Sequence, residues 1–468
     1  MKPTSNWSYE RYRPVVHSSD EIYICRIVPD SNSITLFWVG GKGCTYTVRI
    51  RKKELEDDWD VYTTYEQSMK LDHLEAAQEY EFDVSSGDMY STVGYARTGN
   101  APGIAVNYLH PQDPKYSFSG QHLCTPSLVK HPNGYLLASM DVYEARMPQN
   151  LTLIFRSDDN GETWYHYSEL FPCFWGKLFV HAGEVYMLCT SAEYGDLLVG
   201  KSIDGGKTWM NPTVLFRGTC HWKMAGWHKS AMPIIEHCGR LWTGIDYGSW
   251  CTGGHASCLL SVGIEDDLLE ADNWSLTEPL SYDPKWSGSV DGDSRGFLEG
   301  NAVVMPDGGI ANLLRYATDK GTPNCCLIPI LRGNCENPEK QLSFEKYVSF
   351  PGNLSKFDIL YDAESRYYYS IISRIHDVEH PGLRNLLSLI KSPDLENWEI
   401  VTDLLDYRDQ DPKITGLQYV SILFDGDDLL FLCRTAVNGA ESFHDSNYIT
   451  FHRVKKFRDI SSEKTNCI

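Results

Sequence analysis

Ser157-Asp158-Asp159-Asn160-Gly161-Glu162-Thr163-Trp164 and Ser202-Ile203-Asp204-Gly205-Gly206-Lys207-Thr208-Trp209 share the pattern Ser-x-Asp-x-Gly-x-Thr-Trp, 45 residues apart. Asp bonds nearby backbone and Gly accepts positive φ, so each stretch reads as a tight turn. The Trp that follows brings a large ring to bury in the adjoining sheet. Looser copies occur at Ser392-Pro393-Asp394-Leu395-Glu396-Asn397-Trp398 and around Asp272-Asn273-Trp274. A turn that recurs in this way marks a repeated sheet unit.

A second series of turns runs in phase with the first. Short hairpins centre near positions 134, 183, 239, 308, 365 and 426, at steps of 49, 56, 69, 57 and 61 residues. Among them are His131-Pro132-Asn133-Gly134, His181-Ala182-Gly183, His237-Cys238-Gly239 and Pro306-Asp307-Gly308. Six units of this size are expected to be six four-stranded propeller blades, with residues to spare for loops on one face. Composition agrees: 28 Tyr, 13 Trp, 17 Phe and 37 Gly favour strands and turns over helices.

Ahead of the repeat, residues 20–98 read as short alternating strands, such as Tyr23–Val28, Ile34–Trp38, 44–50 and Tyr80–Val84, with a turn at 40–43. A Trp in an early strand, with Leu74 shortly before Tyr80, resembles the fibronectin type III sandwich and its tyrosine corner. The division expected is an N-terminal segment 1–19, a sandwich 20–98, a linker 99–115, a propeller 116–458 and a tail 459–468.

The chain of 468 residues carries a formal net charge of −21, which argues against nucleic acid as a partner. At 42% apolar residues it can build a proper core, and no apolar run approaches the roughly 20 residues that cross a bilayer. No membrane partner is expected. The start Met1-Lys2-Pro3-Thr4-Ser5 lacks an apolar signal core, so the expected location is cytoplasmic. The 14 cysteines include no CxxC pair, and Cys325-Cys326 are adjacent, so buried reduced thiols are expected. Neither a metal nor a cofactor is expected.

The Ser-x-Asp-x-Gly-x-Thr-Trp turns resemble the Asp-box of the sialidase superfamily. The resemblance implies an all-β chain, a six-bladed β-propeller preceded by a small β-sandwich, with its site in the funnel lined by the innermost strands. Those strands offer Cys124-Thr125-Pro126, Trp175-Gly176-Lys177, Trp227-His228-Lys229, Leu298-Glu299, Ser355-Lys356 and Gln418-Tyr419. The strands after the hairpins end in Asp141, Asp246, Arg315, Arg374 and Arg434. Lys177, His228, Lys229, Lys356, Arg315, Arg374 and Arg434 would form a cationic funnel in an acidic protein, and an Arg fork suits a carboxylate.

Two stretches carry the catalytic side of the resemblance. Glu299-Gly300-Asn301 followed by Arg315 is similar to the sialidase segment in which a Glu precedes a carboxylate-binding Arg. Gln418-Tyr419-Val420-Ser421 is similar to the segment bearing the sialidase Tyr nucleophile. The resemblance implies Tyr419 as nucleophile, Glu299 as the base that takes its proton, and Asp141 as the acid, with Glu144 as a substitute. Asp246, Gln418 and His444 complete the expected substrate-binding set. One departure stands out: the sialidase Arg-Ile-Pro segment is replaced by Cys124-Thr125-Pro126, so the first arginine of the carboxylate-binding triad is missing. The function expected is exo-acting hydrolysis of a terminal anionic sugar of ulosonic or uronic acid type. The alternatives are a polysaccharide lyase, with Tyr419 or His228 as base, and a non-catalytic carbohydrate-binding propeller.

Overall fold

The side chains of each Asp-box close their own turn. Asp159 Oδ1 accepts the Thr163 N–H at 2.8 Å, Ser157 Oγ accepts the Gly161 N–H at 2.8 Å, and the Trp164 indole donates to Gly161 O at 3.0 Å. Asp204, Ser202 and Trp209 repeat the pattern at 2.6, 2.7 and 3.1 Å. In the looser copy, Asp394 accepts the Asn397 N–H at 2.8 Å and Trp398 donates to Leu395 O at 3.0 Å.

Each of these indoles then plugs a seam. Trp164 packs with Leu430 and Phe451, Trp209 with Tyr135 and Leu137, and Trp398 with Val303 and Ile330. A Cβ on Gly161, whose φ is +97°, would lie 2.3 Å from the Phe451 ring, so this turn position requires glycine.

The computed structural model describes residues 21–41, 45–53, 58–289, 296–317 and 326–461. The expected N-terminal segment 1–19, part of the turn 40–43, Cys325 and the tail beyond 461 lie outside the described residues. Within them the chain is a six-bladed β-propeller preceded by a small β-sandwich. Blade I is built from His122–Lys130, Leu136–Tyr143, Leu151–Ser157 and Tyr165–Leu170. Blade II runs over Phe174–His181, Glu184–Thr190, Leu197–Lys201 and Thr213–Phe216.

Blade III has an inner strand broken into Gly226–His228 and Ile235–His237, both paired with Arg240–Ser249. Gly254–Gly263 follows, and Trp274–Leu276 and Leu280–Ser281 line its outer side. Blade IV begins with Gly296–Val304 and Ile310–Ala317, blade V with Asp358–Asp362 and Tyr367–Ser373, and blade VI with Gly416–Asp425 and Asp428–Ala436.

Blade VI departs from the expected division. Its outermost strand is Ile104–Tyr108, paired with Tyr448–Val454 from the far end of the chain. The expected linker 99–115 therefore contains the strand that closes the ring. A closed ring leaves no long unpaired sheet edge at the junction of first and last blades.

The sandwich consists of one sheet of Tyr23–Pro29, Ile34–Val39 and Ser68–Leu71, and another built around Tyr46–Lys52 and Glu79–Ser86. It grips the closing strand: the Arg26 guanidinium donates to Val106 O at 2.9 Å and Ala105 O at 2.7 Å. Lys115 donates to Ile24 O at 3.0 Å, and Tyr23 and Tyr116 share a hydroxyl–hydroxyl bond.

The seam plugs are testable. Trp164→Ala is expected to cost about 3–5 kcal/mol, the range for deleting a buried Trp, read as a lower denaturation midpoint. A loss below about 1 kcal/mol would show that the indole does not hold the seam between blades I and VI.

Candidate active site

Four inner strands break register at corresponding places: between Cys124 and Ser127, Phe174 and Lys177, Leu298 and Gly300, and Gln418 and Ser421. At each break a non-glycine residue takes a left-handed conformation: Thr125 at φ +47°, Trp175 at +52°, Glu299 at +60° and Tyr419 at +52°. Such residues cost about 1–3 kcal/mol each and persist only where the surroundings enforce them. A bulge re-aims the side chain it carries. All four side chains line one cavity of ≈ 430 Å³ at this end of the inner strands.

Neighbouring blades hold the bulges. Asp246 Oδ2 of blade III accepts the Glu299 N–H at 2.7 Å. Asp358 Oδ2 of blade V accepts the Ile422 N–H at 3.2 Å, and Lys356, ion-paired with Asp358, donates to Val420 O. Lys229 Nζ donates to Trp175 O at 3.1 Å.

At the cavity floor, Arg315 Nη1 donates to Glu299 Oε2 at 3.0 Å and to the Tyr419 hydroxyl at 3.1 Å. Arg315 thus bridges the Glu299 carboxylate and the Tyr419 hydroxyl. Burial works to raise the Glu299 carboxyl, but Arg315 beside it wins and holds it below its ordinary range. Burial and the Glu299 charge push the Tyr419 phenol up, against the pull of three arginines.

Those arginines are Arg315, Arg384 and Arg434. Arg384, from the loop between the second and third strands of blade V, donates to Gln418 Oε1 and to Leu354 O, the latter at 3.2 Å. The Arg434 Cζ stands 5.2 Å from the Tyr419 ring centre, and its Nη2 donates to His444 O. Burial, with Arg315 as the next cause, lowers Arg384 to about 10. The Nε of all three guanidinium groups has no hydrogen-bond partner. This is a cluster of cations short of an anion.

The second carboxyl in the lining is Glu193, on the loop after the second strand of blade II. It accepts a bond from Gln149 Nε2 at 3.1 Å, and burial raises it to about 7. Tyr143, Tyr194, Trp222 and Trp250 supply aromatic walls.

The expected site residues divide cleanly. Tyr419, Glu299, Arg315, Arg434, His228 and His444 line the cavity. Asp141 does not: it is fully buried, bonded by the Thr152 hydroxyl at 2.5 Å and pushed by burial to about 7. Asp246 and Gln418 are likewise buried outside the lining, as props for Glu299 and Arg384. Lys177, Lys229 and Lys356 lie buried among the inner strands and outside the lining, so the cationic funnel is an arginine cluster. Arg374 pairs with Asp403 at 3.0 Å outside the cavity, and Arg384 stands in the place expected for it.

Glu193 and Arg384 were not among the expected residues because both sit on loops with no strand register to mark them. Arg384 follows Pro381-Gly382 and Glu193 follows Ser191-Ala192, and neither context distinguishes a surface charge from a buried one.

No protein-family model and no curated protein matches the chain. Solved structures do share its fold. An α-L-arabinanase of Penicillium chrysogenum complexed with arabinobiose superposes with a TM-score of 0.51 at 14% identity, over 76% of this chain and 98% of that one. An α-L-arabinofuranosidase of Fusarium graminearum gives 0.51 at 13%, over 77% and 99%. A Hadza microbial sialidase gives 0.50 at 12%, over 96% and 98%. At such identities the likeness is one of fold.

The buried carboxyls Asp141 and Asp246, both raised to about 7, set a pH dependence. The folded protein keeps protons there that the unfolded chain releases near about 3.9, so the stability these two groups contribute is lost as pH rises from about 4 through about 7. Asp246→Asn, which cannot ionise, should flatten part of that fall in a series of thermal unfolding curves. An unchanged slope would remove Asp246 from the account.

Proposed function

We propose that the protein is an exo-acting glycoside hydrolase that releases a terminal anionic sugar, of ulosonic or uronic acid type, from an oligosaccharide. The observation that carries this is the convergence of Arg315, Arg384 and Arg434 around the Tyr419–Glu299 pair. Solved neighbours act on both sorts of sugar, as their names arabinanase and sialidase say. A neutral arabinose offers nothing to neutralise three guanidinium groups, whereas a sugar carboxylate accepts bidentate forks from them. With no arginine at Cys124-Thr125-Pro126, Arg434 serves as the third member of the carboxylate-binding set.

The mechanism follows from the two carboxyls being pushed apart. Glu299, held ionised beside Arg315, takes the phenolic proton as the Tyr419 oxygen attacks the anomeric carbon. Glu193, its carboxyl raised to about 7, gives a proton to the departing glycosidic oxygen. A water then gives its proton to Glu193 and attacks the same carbon, and Tyr419 leaves and recovers its proton from Glu299. The anomeric configuration is retained over the two displacements.

The front module we read as fibronectin type III-like. Support comes from its two-sheet strand order, the buried Trp38, and the Tyr80 hydroxyl accepting the Glu75 N–H at 2.9 Å.

With chromogenic glycosides of ulosonic and uronic acids, Tyr419→Phe and Glu299→Gln are each expected to lose about 10²–10⁴ in kcat/KM. Full activity in both variants would sink the mechanism. A product with an ultraviolet-absorbing unsaturated ring would reassign the site to a lyase, and tight glycan binding without turnover would make it a binding propeller. The pH profile is a separate check, because the acid must be protonated to act. Activity should fall about tenfold per pH unit above about 7, and Glu193→Gln should abolish that limb.

A further inference from the structure

At the opposite end of the inner strands from the cavity, His237, Cys238 and Cys335 bring one ring nitrogen and two sulfurs within 4.8 Å of one another. His237 and Cys238 belong to the first hairpin of blade III, and Cys335 follows the third strand of blade IV. We infer that these three residues bind a zinc-like divalent cation that staples blade III to blade IV.

The donor set and its support fit such an ion. Two thiolates and an imidazole are ligands that a borderline-soft cation prefers, with water completing a tetrahedral shell. The His237 Nε2 is 2.9 Å from Gly308 O. A carbonyl oxygen only accepts, so Nε2 carries the proton and the neutral ring presents its Nδ1 lone pair. A ring N–H donated to a backbone carbonyl is the usual way in which a ligating His is oriented. The hairpin itself is held by the Trp242 indole, which donates to His237 O at 3.0 Å.

Comparison of the blades separates this cluster from ordinary hairpin structure. His131 Nε2 contacts Gly183 O of blade II at 3.0 Å, so the His-to-next-blade bond is a repeated device. In blade I that ring's Nδ1 is taken by the Asn133 N–H at 3.1 Å, and the next residue is Pro132. In blade II the residue after His181 is Ala182, at φ +49°. Cys238 occupies the same conformation, also at φ +49°, so the turn has no need of a thiol. The second thiol, Cys335, comes from the adjoining blade.

A tetrahedral zinc with bonds of about 2.0–2.3 Å needs its ligand atoms about 3.5–3.8 Å apart. Cys238 is exposed and Cys335 half-buried, so rotation of the Cys238 side chain can supply the remaining contraction. The staple is independent of the proposed catalysis, since no cavity residue takes part.

The test uses the whole chain, reduced and stripped of metal under anaerobic conditions, then titrated with cobalt(II). The expected result is one equivalent of cobalt showing sulfur-to-metal charge-transfer absorption in the near ultraviolet, displaced by zinc. Cys238→Ser and Cys335→Ser should each remove that absorption, while the circular dichroism of the chain stays unchanged. Zinc should raise the melting temperature of the parent chain and leave that of both variants where it was. Charge-transfer absorption that survives in both variants would place the metal elsewhere. Absence of absorption in the reduced parent, or a Cys238–Cys335 disulfide in a chain that binds no cobalt once reduced, would overturn the inference.

Discussion

The bond from the Glu299 backbone N–H to the Asp246 carboxyl oxygen holds the bulge that aims Glu299 into the cavity. Glu299 sits in a left-handed conformation that an L-residue adopts at a cost, within a bulge that breaks the ladder of blade IV. An acceptor from blade III makes that conformation the satisfied one. Because Asp246 is buried, leaving the N–H unpaired would cost a further desolvation penalty. Asp358 and Lys356 play the same part beneath Tyr419. Glu299 and Tyr419 are thus aimed by polar groups one blade away, and the ring of blades is the scaffold that sets the distance between them.

The charges follow from this packing. The chain is acidic overall, yet its cavity gathers three arginines around a single ionised glutamate. Burial raises the cost of each charge and, with Arg315 as the next cause, lowers Arg384 to about 10. Glu193, half-buried and bonded by a neutral amide, keeps its proton near neutrality, while Glu299, beside Arg315, does not. Two residues of one type are shifted in opposite directions by their surroundings alone.

Closure of the propeller explains why the sandwich is fixed to it. The closing strand Ile104–Tyr108 is short, and its pairing joins residues more than 300 positions apart, so bringing it into place carries a loop-closure cost. Arg26, Lys115 and Tyr23 clamp the sandwich to this strand and the segment after it. Tyr108 and Tyr448 of blade VI are buried in the same apolar cluster as Trp38 and Tyr46 of the sandwich. The front module therefore continues the core of blade VI.

Periodic features were legible in the residues alone. Asp-box turns and hairpins obey local rules, so Ser157–Trp164 and Ser202–Trp209 announce a repeated sheet whatever surrounds them. Tyr419, Glu299, Arg315 and Arg434 were legible too, because they sit at fixed register positions that correspond from blade to blade. What the repeat could not reveal is which side of a strand end faces the cavity once a bulge intervenes. The extra residue in each bulge turns Thr125 and Tyr419 toward the cavity, while Asp141, on the strand paired with the first bulge, and Gln418, just ahead of the other, stay in the core. Loop residues such as Glu193 and Arg384 obey no period at all. Cys238 and Cys335 stand 97 positions apart and meet because blades III and IV are neighbours in the ring. Local turn chemistry and strand period live in neighbouring residues, and these suffice for the architecture. Proximity across blades and the burial that shifts each charge arise from ring closure, so they exist only in the folded chain.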